Sequence, residues 1–188
     1  MKSFVVIAGQ TCSGKSTLAN RLASGICIRQ DDWYRDLADI PRNAQGYPNM
    51  ESPNAFHIDE MLYEIKRLQE RGEMNYPIYD IATNQRKGIQ RVKTQGGKSV
   101  VIEGLHTIEL LRHIDGEKIF LDTDIDICKA RRVERDSKLF GIPIDVVERH
   151  FDENIMPETQ RYILPQSKLA TIIIRNNDEK EIGRLLNE

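Results

Sequence analysis

The chain is short of several things, and each shortage removes a class of protein. Cysteine occurs three times in 188 residues, at Cys12, Cys27 and Cys128, without paired or metal-like spacing. Neither a disulfide framework nor a zinc module is expected, and the odd count suits free thiols in a reducing compartment. No apolar run approaches the roughly 20 residues that span a bilayer. The opening run Phe4-Val5-Val6-Ile7-Ala8 is too short for a signal-peptide core and enters a glycine loop without a cleavage pattern. A soluble, unexported, cytoplasmic protein is the expectation. An excess of one charge is also missing. Lys and Arg number 27 against 29 Asp and Glu, a formal net charge of -2, which gives no general attraction for nucleic acid or a membrane surface. A small-molecule partner suits that balance better than a polyanion. Internal repeats and low-complexity tracts are lacking too, and a chain of this length is expected to form one domain, residues 1–188, around one core.

What is present alternates between two periods. Short β-rich runs at Ser3–Ala8, Ile26–Arg29, Ser99–Ile102, Lys118–Leu121 and Thr171–Ile174 are separated by helical patterns. This order predicts an α/β fold with a mainly parallel sheet of about five strands and helices on both faces. Several runs are unbroken Val and Ile, as strands covered on both sides would be. Helices are expected at Lys15–Ala23, Asn54–Arg71, Asp126–Lys138, Ile144–Asn154 and from Asp178 onward. The second is the clearest, because Ile58, Met61, Leu62, Ile65 and Leu68 recur at helical spacing before Gly72. Residues 37–52 and 76–97 are polar, Gly- and Pro-bearing stretches longer than ordinary connections. They are expected to be substrate-binding loop insertions.

The strongest motif is Gly9-Gln10-Thr11-Cys12-Ser13-Gly14-Lys15-Ser16, followed by Thr17, lying between a predicted strand and a predicted helix. It fits G-x-x-x-x-G-K-[ST], a P-loop. Such a loop curls its backbone N–H groups around phosphate oxygens, with the Lys15 ammonium at the β- and γ-phosphates and the Ser16 hydroxyl toward Mg2+. A bare glycine turn before a capped helix is the bland alternative, and the strand-loop-helix context weighs against it. Val100-Val101-Ile102-Glu103 ends a predicted strand in a carboxylate, which at that edge can serve a magnesium site, although a solvated acid would look the same. Asp31 and Asp32 follow another strand, and a carboxylate there can take the proton of an attacking hydroxyl; taken alone, an Asp-Asp turn is the commoner meaning. Arg131, Arg132 and Arg135 share a helical neighbourhood that can close over a triphosphate, though a charge run is more often a solvated face. Cys12 is read as loop filler.

The order of these motifs resembles the uridine kinase family, in the wider group with phosphoribulokinase and nicotinamide riboside kinase. The resemblance covers nearly the whole chain. It is carried by Gly9–Ser16, Gln30-Asp31-Asp32-Trp33-Tyr34, Ser52-Pro53-Asn54-Ala55-Phe56, Tyr76-Pro77-Ile78-Tyr79-Asp80, Val101-Ile102-Glu103-Gly104, Phe120-Leu121-Asp122-Thr123-Asp124 and Arg131-Arg132-Val133-Glu134-Arg135-Asp136. It implies a P-loop NTPase three-layer sandwich with a helical lid near residues 129–154, and a kinase that transfers the γ-phosphoryl of ATP or GTP, with Mg2+, to a nucleoside 5'-hydroxyl. On the same ground Asp31 becomes the general base and a magnesium-site neighbour beside Glu103. Tyr34 and Tyr79 become walls of the base pocket, Glu51 the partner of the ribose diol, and Arg132 and Arg135 lid or phosphate contacts, with Arg132 also near the substrate. Homo-oligomeric assembly is a further family trait.

Three positions depart from the family pattern. Glu51 stands where an aspartate is usual, Asn84 where a histidine usually reads the pyrimidine, and Leu139-Phe140-Gly141-Ile142 where an arginine-glycine-arginine element is common. Uridine or cytidine is the first expectation for the acceptor. The paired aspartates before an aromatic residue keep nicotinamide riboside as the alternative. A guanine-specific switch is disfavoured because no Asn-Lys-x-Asp element occurs. A relative that binds nucleotide without turnover is the remaining option.

Overall fold

Alternation along the first strand divides the core in two. In β1 (Phe4–Gly9), Phe4, Val6 and Ala8 join one apolar cluster while Val5 and Ile7 join another, because successive side chains leave opposite faces of a strand. The computed structural model describes residues 4–94, 96 and 98–178. Five strands form an all-parallel sheet in the order β2 (Ile26–Arg29), β5 (Val100–Gly104), β1, β6 (Glu117–Asp122) and β7 (Ile172–Arg175). On one face α1 (Lys15–Leu22) seats Leu18 and Ala19 against Val5, Ile7, Val101 and Leu121. On the other, α2 (Ile58–Arg71) buries Met61, Ile65 and Leu68 with Val6, Ile28 and Ile102. Each such side chain contributes about 1.5–3 kcal/mol of burial. The result is the three-layer sandwich expected.

Differences from the sequence expectations lie outside the sheet. Most of the stretch expected as a loop from 76 is strand: β3 (Glu73–Asp80) and β4 (Gln85–Lys93) pair antiparallel into a ribbon. The ribbon was hidden because β4 buries no residue, so apart from Ile89 and Val92 its sequence is polar or glycine. It is fastened to α2 by Arg86, whose guanidinium makes paired bonds of 2.6 and 2.7 Å to Glu60. The helix expected from Asn54 begins at Ile58, after a 3-10 turn at Pro53–Ala55 that Ser52 caps through the Asn54 amide.

A short helix α3 (Thr107–Leu110) follows β5, and α4 (Ile125–Phe140) ends at Gly141, whose φ of 66° suits a residue without Cβ. Next, α5 (Ile144–His150) runs into a π-helical turn, Phe151–Ile155, and further helical turns reach Leu169. The residues predicted as helical beyond Asp178 lie outside the described set. Among the described residues, no helix is long and apolar enough to cross a membrane.

Candidate active site

Parallel strands bring all five carboxyl ends to one edge, and side chains from those ends build the site. The phosphate loop leaves β1 and turns through two left-handed positions, Cys12 at φ 58° and Gly14 at φ 99°, before α1 starts. It is clamped from behind by the ends of β6 and β7. The Asn176 amide donates to the Ser13 carbonyl at 2.7 Å, the Thr123 hydroxyl donates to the same carbonyl at 3.2 Å, and the Gln10 amide donates to the Thr123 carbonyl. Across the loop, Lys15 Nζ donates to the Gln10 carbonyl at 2.7 Å.

The loop's front opens on a cleft of about 1250 Å³. Of the residues expected at the site, Gly9, Gln10 and Ser13 do not line it. A Cβ on Gly9 would sit 2.8 Å from both the Leu121 carbonyl and Ser13 Oγ, so that position serves close packing. The Gln10 and Ser13 side chains are buried behind the loop. Thr11, Cys12, Gly14, Lys15, Ser16 and Thr17 face the cleft.

Register fixes the acids. Glu103 pairs with Ile7 of β1 and with Arg29, the last residue of β2, so Glu103 and the aspartates two and three residues past Arg29 emerge side by side. Ser16 Oγ donates to Glu103 Oε1 at 2.9 Å. A hydroxyl and carboxylates at the mouth of a phosphate loop are hard oxygen donors that suit Mg2+, which keeps several waters and takes few protein ligands. No group of three or more His, Cys, Asp or Glu placed to hold a metal occurs among the described residues.

The two adjacent aspartates divide their roles. Asp32 is buried, accepting from Arg29 Nε at 3.2 Å and from the Tyr76 hydroxyl. Asp31 lines the cleft and makes no side-chain hydrogen bond to the described protein. Its carboxylate is open to cleft solvent, yet the enclosing walls strip away part of its hydration. That desolvation, reinforced by Glu103 and opposed by Lys15, lifts its pKa to about 6.

Three segments bring side chains to the other half of the cleft. Tyr34 stacks on Phe56 with ring centroids 4.2 Å apart and meets Tyr79 at 5.9 Å, while its hydroxyl donates to the Met50 carbonyl. Desolvation, with Asp31 and Glu51 nearby, holds the Tyr34 hydroxyl well above its ordinary pKa, and Tyr79 is pushed to about 12 by desolvation, Asp36 and Asp31. Glu51 is buried, and its Oε2 has no hydrogen-bond partner among the described residues. Such an orphaned acceptor is costly unless a ligand serves it. Asn84 lines the cleft from the ribbon turn at φ 50°, a left-handed position that asparagine tolerates. Its residue type thus has a backbone reason besides any contact with a ligand.

The arginines descend from α4. Arg132 Nη1 donates to Thr11 Oγ1 at 2.9 Å and to Glu51 Oε1 at 3.0 Å, tying the two halves of the cleft together. Burial opposes its charge, but Glu51 and Asp136 outweigh that cost and hold its pKa above the usual arginine value. Arg131 reaches the carbonyls of Cys12 and Asn176 at 3.5 and 3.4 Å, and Arg135 lines the cleft with its Nε on Asp136.

A sequence model of the "Phosphoribulokinase / Uridine kinase family" matches residues 4–183. The chain belongs to the phosphoribulokinase/uridine kinase family. It is 31% identical over 185 residues to a uridine kinase of Clostridium novyi, covering 94% of this chain and 88% of that protein. It is 28% identical over 186 residues to a uridine kinase of Lactobacillus helveticus, with the same two coverages. Among solved structures, phosphoribulokinase from Rhodobacter spheroides superposes with a TM-score of 0.67 over 93% of this chain and 70% of that one, at 17% identity, a likeness of fold.

Within this family member, sequence reasoning missed the second layer of the site. His106 is buried between Phe56 and Tyr162, and its Nε2 contacts the Glu51 carbonyl at 2.9 Å. Desolvation lowers its pKa to about 4, so the ring is neutral and Nε2–H is the donor. Its backbone amide donates to Gln30 Oε1 at 2.9 Å, the residue before Asp31. Gly104 makes room for that contact, since a Cβ there would lie 2.3 Å from Gln30 Cβ. No local pattern announces His106, but a Gly after a strand-terminal acid is a cue for close backbone packing.

Proposed function

We propose that the protein is a nucleoside kinase that transfers the γ-phosphoryl group of ATP, taken with Mg2+, to the 5'-hydroxyl of uridine or cytidine. The observation that carries this reading is Asp31: an unpartnered carboxylate in the same cleft as Lys15 and Ser16, with its neighbour Asp32 wholly engaged elsewhere. A P-loop alone would serve a switch or a motor equally well. A carboxylate poised between phosphate loop and aromatic pocket is what an alcohol acceptor needs.

In this assignment the loop N–H groups and Lys15 hold the β- and γ-phosphates, while Ser16 and Glu103, with Asp31 close by, serve the metal site. When bound, Mg2+ supplies charge neutralisation at the phosphate oxygens. Asp31 accepts the proton of the acceptor hydroxyl as its oxygen attacks. Tyr34 and Tyr79 flank the base, Glu51 Oε2 takes the ribose hydroxyls, and Asn84 offers an amide donor and acceptor to the base edge. Arg131, Arg132 and Arg135, on the lid segment 129–154, close over the triphosphate and exclude water. All of this lies in one domain, with residues 37–52 and 76–97 as the acceptor-binding insertions.

A second acceptor, nicotinamide riboside, is favoured by one observation. The aromatic walls lie in the field of Asp31, Glu51 and Asp36, and a cationic ring is attracted both to carboxylates and to aromatic faces. The test is to incubate the protein with ATP, Mg2+ and, separately, uridine, cytidine, other nucleosides, nicotinamide riboside and pantothenate, and to look for monophosphate products. Uridine or cytidine monophosphate is expected. Product from nicotinamide riboside alone moves the assignment to that acceptor, and no product from any member of the panel removes the kinase assignment.

A further inference from the structure

Asp136 belongs to none of the roles assigned above, yet its surroundings are unusual for its position. The helix α4 buries only two of its described residues, Cys128 and Asp136. Most i, i+4 pairs between carboxylate and arginine lie on solvated helix faces and matter little. Here the carboxylate side chain is 10% exposed and borders the phosphate cleft. It accepts Arg132 Nε at 3.1 Å on one oxygen and Arg135 Nε at 2.7 Å on the other.

Both bonds are made at Nε, which fixes the plane of each guanidinium while leaving its two terminal nitrogens free to serve other acceptors. For Arg132 those acceptors are visible: Nη1 spans Thr11 Oγ1 in the phosphate loop and Glu51 Oε1. For Arg135 the terminal nitrogens make no hydrogen bond among the described residues and the side chain stands in the cleft. Two cations held a fixed distance apart by one buried anion resist each other's repulsion and the loss of hydration, which each alone would meet by swinging out to solvent.

We propose that Asp136 is a positioning residue: a single carboxylate that aims Arg132 and Arg135 together at the terminal phosphate of a nucleotide bound in the loop. It touches neither reacting atom. Its effect is on the γ-phosphoryl in particular, since the loop and Lys15 hold the β-phosphate without help from α4, while the γ-phosphoryl they also touch is the group nearest the two arginines. This extends the kinase assignment but does not need the acceptor to be known, because nucleotide binding reads it directly.

The experiment compares wild type with Asp136→Asn and Asp136→Glu, measuring the Kd of Mg·ATP and of Mg·ADP without acceptor, kcat with the best acceptor, and the thermal midpoint. The expected result is that Asp136→Asn lowers kcat about 10- to 100-fold, the cost of misplacing transition-state contacts. ATP binding should weaken while ADP binding stays within about twofold. Asp136→Glu, which keeps the charge but moves it by one methylene, falls between the two. In an Arg132→Gln/Arg135→Gln background, adding Asp136→Asn should cause no further loss of ATP preference. Equal weakening of ATP and ADP, or a lower midpoint with kcat unchanged, makes Asp136 a structural group only and overturns the proposal. If Asp136→Asn does not fold, Asp136→Glu decides, and unchanged kcat and ATP preference overturn it. Should wild type phosphorylate no acceptor while Asp136→Asn still loses ATP over ADP, the acceptor assignment fails and the positioning role stands. If wild type phosphorylates uridine and both variants match it, the reverse holds.

Discussion

The two halves of the cleft are built in opposite ways. The phosphate half is nine consecutive residues, Gly9 to Thr17, running from the end of β1 into the first turn of α1 and braced by Thr123 and Asn176. The acceptor half is assembled from Asp31 and Tyr34, Glu51, Tyr79 and Asn84, and His106, which are scattered over more than seventy positions and share no strand or helix. A contiguous loop depends on a few backbone dihedrals, so its residues are constrained one by one. An assembled pocket depends on packing between distant elements, so its residues can be exchanged while the shape survives. The departures from the family pattern, Glu51, Asn84 and the apolar 139–142 segment, fall on the assembled half and at the end of α4, and none falls on the loop.

That contrast can be broken or sharpened by substitution. The largest effect is expected from Asp31→Asn, which joins the halves: kcat falls about 10²- to 10⁴-fold, the worth of a positioned base. ATP affinity, measured by calorimetry, should hold. Turnover within a few-fold of wild type removes Asp31 as the base.

The same substitution should act on stability in the other direction. Because the folded pKa of Asp31 lies near 6, above that of an unfolded aspartate, the native state binds its proton more tightly. The resulting stability is fully present below the unfolded value and is lost as pH rises through 6. Asp31→Asn is therefore expected to melt like wild type near pH 3.5 and above it at pH 7 and beyond, in scans without ligand. Coincident melting temperatures across that range contradict the raised pKa.

Next in size is Lys15→Ala, expected to lower kcat about 10²- to 10³-fold through lost stabilisation of phosphate charge. It should do so for every acceptor alike, the mark of the phosphate half. Glu51→Gln should raise the acceptor KM roughly 10- to 100-fold, as for a hydrogen bond to a charged group. ATP affinity measured without acceptor should be unchanged or tighter, because Arg132 Nη1 then has no carboxylate competing for it. A matched loss of ATP affinity would mean that Glu51 serves both halves. The smallest effect is expected from Asn84→Gly, which keeps the left-handed turn and removes the amide. Acceptor selectivity should move about 2- to 10-fold, the range of one neutral hydrogen bond. No movement leaves Asn84 a turn residue.

Much of the fold was legible because buried parallel strands are plain Val and Ile runs: all five strands of the main sheet were placed within a residue or two at each end. The ribbon β3–β4 was not, since β4 buries no residue and gives little hydrophobic period, and Pro77 and Gly88 within the ribbon read as loop residues. The helical turns beyond Asn154, as far as Leu169, were lost for a related reason, as π-helical and 3-10 turns shift the spacing away from 3.6. At the site, the P-loop, Glu103 and the arginine cluster stood out, while His106, Asn176 and Thr123 did not, because each acts on a carbonyl that only the fold brings near.

The sequence by itself determined the phosphate loop, the sheet that carries it and the edge at which Asp31 and Glu103 emerge, since these follow from local dihedrals and from strand periodicity. Only the tertiary structure decided which of two adjacent aspartates is free. Arg29 and Tyr76, the latter 44 residues away, engage Asp32 and leave Asp31 to the cleft. It also decided that Arg132 would bridge Thr11 to Glu51 with Asp136 at its back. The bonds from Tyr76 to Asp32 and from Arg132 to Thr11 and Glu51 join residues with no common element, and a long-range hydrogen bond leaves no period or spacing in the chain that makes it.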